Sequence, residues 1–563
     1  VKTDAGQEAR IDVAIVGAGP AGLMTANLLG GYGVTVRVFE SGAELIDYPR
    51  GVGMDDETLR TFQAAGLVQE VLPHTIPHQI LAFVDRRWRD LARLHPSTGE
   101  FGWPRRNGFV QPLADQVLLR GLGRFGHVDV QWSSRVEDIE QDADGVTLRV
   151  STPEGERSVR ATYVVGADGG RSSVRKALGL AFEGRTAPEN WIVVDLRNDP
   201  LGRPGAYVCA DPARPFVCLS IPHGIRRFEF MMLPGETEEQ AMGEGFVEGL
   251  MRPFVGADTP IEIIRRRVYA HNSRLAAHFR KGRVFLIGDA AHIMPVWQGQ
   301  GYNSGIRDAL NLAWKLALAV RGNAAPALLG SYETERRAHV KAMVDLSRKV
   351  GTVVSIRNPF LAGVRDVFFR SISVIPRVKS YIVQMRFKPM PTMDSGALTH
   401  IGAQSKPTPV GRIFPQPTVA TREDAGIKLD DAVGSWFTLI AWNNDPRAIL
   451  DQDAQDILEG LGARLATARP AVQLNWDDGA PTDGVVVIGD VDGSVKGWFD
   501  AHLESVLLIR PDRIVAGAAP AFSASDMVRD FARTIGIDGM SAARPPSAAP
   551  RRSDDDESLK EAS

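Results

Sequence analysis

The chain has 563 residues, enough for about three to five domains or one large composite enzyme. Hydrophobic residues make up 44% and charged residues 24%, which excludes wholesale disorder and a fibrous repeat. Lys and Arg number 65 against 68 Asp and Glu, a net charge of -3, so no global field favours nucleic acid or an anionic membrane. The only cysteines are Cys209 and Cys218, which rules out a disulfide scaffold and a Cys-rich metal site and reads as two reduced thiols. No stretch reaches the ~18 uninterrupted apolar residues of a membrane helix. Residues 13–29 have the look of a signal peptide, but no small-residue cleavage site follows a clean apolar core, so the chain reads as cytoplasmic.

In chain order, residues 11–16 are a short β-branched strand, 17–22 a glycine-rich turn and 23–29 helical in composition. Gly30, Gly31 and Gly33 break the helix, and residues 34–39 form a second strand ending in Glu40, completing a βαβ unit. Residues 146–150, 158–165, 191–196, 206–209, 216–220, 227–232 and 263–269 are short strands. The later ones suggest an antiparallel layer set apart from the βαβ unit. Residues 284–287 are another buried strand, and 306–320 and 331–350 read as long helices. A Pro- and Met-rich stretch, 385–395, leads to a last unit over about 409–536. It reads as strand 437–442, helix 452–466, strand 471–476, hairpin 505–517 and helix 524–535. That order resembles a thioredoxin-like fold, but neither cysteine lies in it, which leaves packing or dimerisation as its use. The tail, 541–563, reads as disordered.

Gly17-x-Gly19-x-x-Gly22 follows a strand and opens a helix, where the glycines let a pyrophosphate approach unpaired N–H groups at the helix N-terminus. Glu40, 18 residues beyond Gly22, ends the next strand, where an acid can accept from ribose hydroxyls. Residues 121–126 also spell GxGxxG, but between a helix and a strand in inverted order, so they read as a loop and the chain has one dinucleotide site. Two further motifs follow strands. One is Gly166-Ala167-Asp168-Gly169-Gly170-Arg171. The other is Gly288-Asp289-Ala290-Ala291-His292, with Pro295, Gly299-Gln300-Gly301 and Asn303 behind it, suited to a ribityl chain and a phosphate.

The three motifs, in this order and spacing, resemble the single-component FAD-dependent aromatic hydroxylases, the group A flavoprotein monooxygenases. Residues 45–50, 100–107, 226–230, 234–240 and 292–303 are similar to the branch that ortho-hydroxylates 3-(3-hydroxyphenyl)propionate, a similarity running over most of residues 10–540. The resemblance implies non-covalent FAD, NADH as donor, O2, a flavin hydroperoxide as the oxygen carrier and a 2,3-dihydroxy product of aromatic catabolism. It implies a Rossmann-type FAD-binding domain (1–85, 105–185 and 280–355) interleaved with a mixed or antiparallel substrate sheet (86–104 and 186–279). A helical linker (356–400) and the thioredoxin-like α/β domain (401–540) would follow.

By the same resemblance Gly17, Gly19, Gly22 and Glu40 hold the ADP half of FAD. Arg50, Gln111 and Arg120 belong to the cofactor site, with Arg120 near the phosphates. Asp168 is tied to pyrophosphate and pyridine-nucleotide binding. Gly288 and Asp289 meet the ribityl chain, and Pro295, Gly301 and Asn303 line the isoalloxazine. The substrate is a small aromatic acid whose phenol, of pKa ~10, is only about 0.1% ionised at pH 7, a gap of about 4 kcal/mol to the reactive phenolate. A hydrogen-bonding side chain can supply part of it. Asp55 and Tyr269 are the candidates, Asp55 competing with a helix N-cap reading and Tyr269 with an ordinary half-buried sheet tyrosine. Arg267, on one strand face with Arg265 and Tyr269 by period two, is expected to anchor the substrate carboxylate, with Arg227 as the other possibility. Trp297 is a pocket wall or plain core, His292 reads as structural, and no metal cluster is expected. Other readings of the same fold are a hydroxylase of another phenol, a flavin dehydrogenase or reductase, and a non-catalytic flavin-binding protein. A homo-oligomer is possible.

Overall fold

A computed structural model describes residues 11–48, 50–322, 325–474 and 484–537; the tail expected to be disordered lies outside the described residues. The first sheet is built on the predicted βαβ unit. Strand Ile11–Val16 sits between Gly155–Gly166 and Val36–Phe39, parallel to both, and Val128–Gln131 and Val284–Leu286 extend the parallel set. Such a strand is buried on both faces and needs a continuous apolar run. Val13, Ala14 and Ile15 are fully buried. The helices Pro20–Gly31 and Gln300–Val320 pack against each other beside it. The inverted GxGxxG falls where expected, at the end of the helix Gln111–Leu122 and before the strand Val128–Gln131.

The second sheet has eight strands, antiparallel except at one pairing. Its middle is Glu262–Ala276, Phe182–Arg197, Ile225–Met231, Phe216–Ile221 and Ala206–Cys209. Leu81–Val84, expected in the cofactor portion, joins this sheet instead, parallel to Ala206–Cys209, and brings Asp90–Leu94 with it. Alternation gives the sheet two apolar faces. Tyr207, Cys209, Phe216 and Cys218 pack into a core with Phe228 and Phe230, while Ala206, Val208, Val217 and Leu219 point the other way, toward the first sheet. Both cysteines are buried, free thiols pushed up by burial, to about 12 and about 11. Among the described residues no helix is long and apolar enough to cross a membrane.

The last unit is a mixed sheet. Thr438–Trp442 lies parallel to Arg464–Pro470 and antiparallel to Val506–Ile509, which forms a hairpin with Val515–Ala519 before the helix Ala524–Ile535. The expected helix over 452–466 is shorter, Gln452–Leu461. Gly462 takes a left-handed φ of +70° and stops it, so the next strand begins at Arg464. The expected strand over 471–476 is a short helical turn, Ala471–Gln473, with residues 475 and 476 outside the described set. The unit is seated on the cofactor portion through buried charge. Glu335 takes both Arg510 nitrogens at 2.9 and 2.8 Å and Lys315 at 2.7 Å, and Arg60 forks onto Asp430 at 2.6 and 2.8 Å.

Candidate active site

An elongated cavity lies between the two sheets, with about 1540 Å³ of empty space counted out to its open mouth. One end is the first glycine turn. Gly17 has a φ of +105°, and a Cβ there would sit 2.6 Å from the Ala167 carbonyl; one on Gly22 would overlap the Gly17 carbonyl. These two glycines are packing requirements. Gly19 differs: a Cβ there would meet nothing nearer than 3.9 Å, because the residue faces the cavity with Pro20 and Ala21 at the N-terminus of a twelve-residue helix. Glu40 closes the turn, accepting from Ala18 N at 2.8 Å and Gly42 N at 2.7 Å. Gln111 Oε1 accepts from Arg50 N at 3.0 Å and Gly51 N at 2.7 Å, fixing the wall over 50–53. Gly288 (φ +54°), Asp289, Trp297 and Gly301 complete the lining. An open glycine turn on a helix N-terminus, an acid at the end of the second strand and a second glycine-rich entry fit the phosphates, ribose and ring of FAD.

The opposite wall is the aliphatic sheet face Ala206, Val208, Val217 and Leu219, and it ends at Glu229. Behind Glu229 runs a row of buried polar groups. Tyr269 donates to Glu229 Oε2 at 2.8 Å, and His271 Nε2 lies 3.2 Å from the tyrosine oxygen. Arg227 forks onto Asp195 at 2.7 and 3.0 Å and reaches Glu229 at 3.7 Å. Burial pushes Glu229 up against the pull of Arg227, and burial with the neighbouring Glu229 raises Tyr269 well above 10. Burial lowers His271 to about 4, so the ring is neutral at pH 7. Trp297 stands edge-on to Trp191 and His271, with centroids 5.1 Å away in each case.

The FAD binding domain family matches residues 10–347, more than half of the chain, and the HcaD C-terminal domain family matches residues 411–534. A 3-(3-hydroxy-phenyl)propionate/3-hydroxycinnamic acid hydroxylase of Mycolicibacterium smegmatis is 54% identical over 517 residues, covering 92% of this chain and 92% of that protein. A protein of the same name from Paraburkholderia xenovorans is 46% identical over 569 residues, covering 93% and 91%. The chain belongs to the group A FAD-dependent aromatic hydroxylases. The flavin-dependent monooxygenase PieE, solved with FAD and substrate, shares the hydroxylase's fold with a TM-score of 0.78 over 94% of this chain and 100% of that one, at 22% identity.

The geometry of the hydroxylase moves several expected residues away from the cavity. Asp55 is buried outside the lining: Oδ1 caps the helix Asp56–Ala64 through Thr58 N at 3.0 Å, and Oδ2 meets Arg307 and, at 2.8 Å, Lys388. The N-cap reading holds there, with an ion cluster added. Arg267 is exposed and stacks on the Tyr48 ring at 4.2 Å, and Arg265 pairs with Asp195 at 2.8 Å and covers the same ring. Arg227 is committed to Asp195. Arg120 is exposed on the last turn of its helix, nine residues and so about 14 Å beyond Gln111, within electrostatic reach of His74 and outside the cavity lining. Asn303 is fully buried and ties the turn after Pro295 to the wall over 50–53, donating to Gly53 O at 3.0 Å and Gly299 O at 2.7 Å. Asp168 accepts from Ser173 N at 2.6 Å and Val174 N at 3.2 Å, fixing the loop whose Gly169 lines the cavity.

Two side chains of the site carried no motif in the sequence. Asp308 takes Gly288 N at 3.0 Å, His292 Nε2 at 2.6 Å and Arg336 at 2.8 Å, so it sets the Gly288 turn and accounts for His292 as structure. Glu229 carried a signal, a lone acid alternating with phenylalanines in a buried strand, but only the sheet register shows that it faces the cavity. The Gly19 geometry gives a clean test. Gly19→Val should fold, because its Cβ meets open space, yet purify without flavin, whereas Gly22→Val should fail to fold. Flavin absorbance and melting temperature of the two variants distinguish these outcomes.

Proposed function

We propose that the hydroxylase converts 3-(3-hydroxyphenyl)propionate, and the matching hydroxycinnamate, to the 2,3-dihydroxy products with NADH and O2. The observation that carries this is the junction of the FAD turns with an aliphatic wall ending at Glu229. Bound FAD would supply acceptance of hydride from NADH and activation of O2 for insertion into the ring. The protein's part is to hold and ionise the phenol. The aliphatic face packs the ring and the three-carbon chain, and Glu229 accepts the phenolic proton. Its raised affinity for a proton brings it nearer to the phenol, as a general base requires. Tyr269 fixes the carboxylate by donating to it, and His271, neutral, donates from Nε2 to the tyrosine oxygen. Tyr269 therefore orients the base rather than acting as one. FAD contacts from Gly19, Glu40, Arg50, Gln111, Gly288, Asp289, Pro295 and Gly301, with Gly17 and Gly22 shaping the turn that holds the cofactor, and a substrate contact from Trp297, belong to the same proposal. Two free buried thiols suit a cytoplasmic enzyme.

Glu229→Gln is expected to keep its FAD and to slow hydroxylation on the order of 100-fold at pH 7. The deficit should shrink as the pH approaches 10, where phenolate forms unaided. Substrate-dependent NADH oxidation, oxygen uptake and product analysis across pH test this. A dehydrogenated product without oxygen uptake would favour the dehydrogenase reading, and a pH-independent loss would remove Glu229 as the base.

A further inference from the structure

The substrate proposed above carries a carboxylate, and a carboxylate enclosed in a cavity needs a cation beside it. The arginines expected for this are engaged elsewhere: Arg267 on Tyr48, Arg265 and Arg227 on Asp195. Among the described residues, one cavity arginine is not engaged. Arg106 opens the strand Arg106–Phe109, lines the cavity, and makes no side-chain hydrogen bond or ion pair with any described residue. Its Nε is buried without a partner, and Nη1 lies 3.6 Å from where a Cβ on Gly53 would stand. Enclosure by protein lowers it to about 10, with no carboxylate to offset that, so it remains a cation at pH 7. A guanidinium left unpaired at such a position is costly to the free protein, and the cost is recovered when an anion arrives.

Arg106 and Glu229 line the same cavity, and Gln79 ties the Arg106 backbone to the strand that pairs with Glu229. Glu229 pairs with Val217. Gln79 joins Arg106 O, through its backbone N at 3.1 Å, to Ser220 O, through its side chain at 2.7 Å. Val217 and Ser220 are three residues apart on one strand, roughly 10 Å. The cavity that holds the aliphatic face with Val217 and Leu219 thus offers both a proton acceptor, Glu229, and a bare cation, Arg106. We infer that Arg106 binds the carboxylate of the aryl acid, and that the Glu229–Arg106 span selects a phenol and a carboxylate separated by a short chain. The last domain supports this arginine indirectly. Gln416 and Lys428 hold the turn over 100–102, by bonds of 2.8 Å to Glu100 O and Phe101 O and 2.6 Å to Gly102 O, just ahead of it.

This inference rests on the proposed substrate class, and its test separates the two. The FAD-loaded protein is titrated with 3-(3-hydroxyphenyl)propionate and with its uncharged methyl ester, following the flavin spectrum. The wild type should prefer the acid. Arg106→Met should weaken the acid on the order of 100-fold and leave the ester within about threefold, so that the preference disappears. Arg106→Lys should retain part of it, since charge remains and the fork is lost. The substrate-free Arg106→Met protein should melt no lower than wild type, because an unpaired cation has been removed. An Arg106→Met protein that keeps its preference for the acid overturns the anchor alone. A wild type without any preference overturns the anchor and the propionate reading together. Loss of FAD, or of acid and ester binding alike, in Arg106→Met would make Arg106 a flavin contact and would also overturn the inference.

Discussion

Asp55→Asn is expected to destabilise the hydroxylase by about 3–5 kcal/mol, the range for removing one partner of a buried ion pair. Asp55 and Glu57 balance Arg307 and Lys388 in a closed cluster, with Arg307 on Glu57 at 2.7 Å and Lys388 at 2.8 and 3.2 Å from the two carboxylates. Asparagine keeps the helix cap but leaves the two cations facing a single carboxylate. Burial alone would raise both acids, yet Arg307 and Lys388 hold them below their ordinary 3.8 and 4.5. Their contribution is therefore present above those values and lost as pH falls through the lower folded ones. Asp56, pushed up to about 7 by burial, has the opposite sign: it contributes below 3.8 and that contribution is lost as pH rises through about 7. Melting temperature against pH should show an acid limb below about 4 that is weaker in Asp55→Asn. Wild-type stability together with increased peroxide release would return Asp55 to the phenol.

Arg510→Met should be comparably damaging, by about 3–5 kcal/mol. Glu335 stands on the long helix Pro326–Val354 of the cofactor portion and is fully buried against Arg510 from the last domain. Arg510 also forks onto Asp512, to which Asn311 donates at 2.9 Å. Trp314 packs edge-on against Phe437 at 5.3 Å across the same junction. A chain ended near residue 395 would leave Glu335, Asn311 and Arg60 without Arg510, Asp512 and Asp430. It should give no soluble, FAD-loaded protein, and the flavin content of the soluble fraction measures this. A soluble, yellow truncation would show that the junction is dispensable.

Short-range rules made the βαβ unit, the glycine turn, Glu40 and the antiparallel layer legible, because each depends on neighbours in sequence. The site depended on pairings the sequence does not show. Period two placed Arg265, Arg267 and Tyr269 on one face, but only pairing with the Phe182–Arg197 strand shows Asp195 taking Arg265 and Arg227. Asp55 satisfied a local motif, while its actual partners, Arg307 and Lys388, lie 252 and 333 residues away. Arg106 lies in the 100–107 stretch that carries the resemblance, but its lack of a partner is a property of the folded surroundings.

The proposed chemistry is oxygen insertion beside the phenol of an aryl acid seated between the FAD turns and Glu229. The most direct measurement is turnover of 3-(3-hydroxyphenyl)propionate with NADH under ¹⁸O-labelled dioxygen, followed by mass and NMR analysis of the product. The expected product is 3-(2,3-dihydroxyphenyl)propionate carrying one ¹⁸O atom, at the carbon between the phenol and the chain. Label absent from the product, insertion at another ring position, or peroxide formed over unchanged substrate would contradict it.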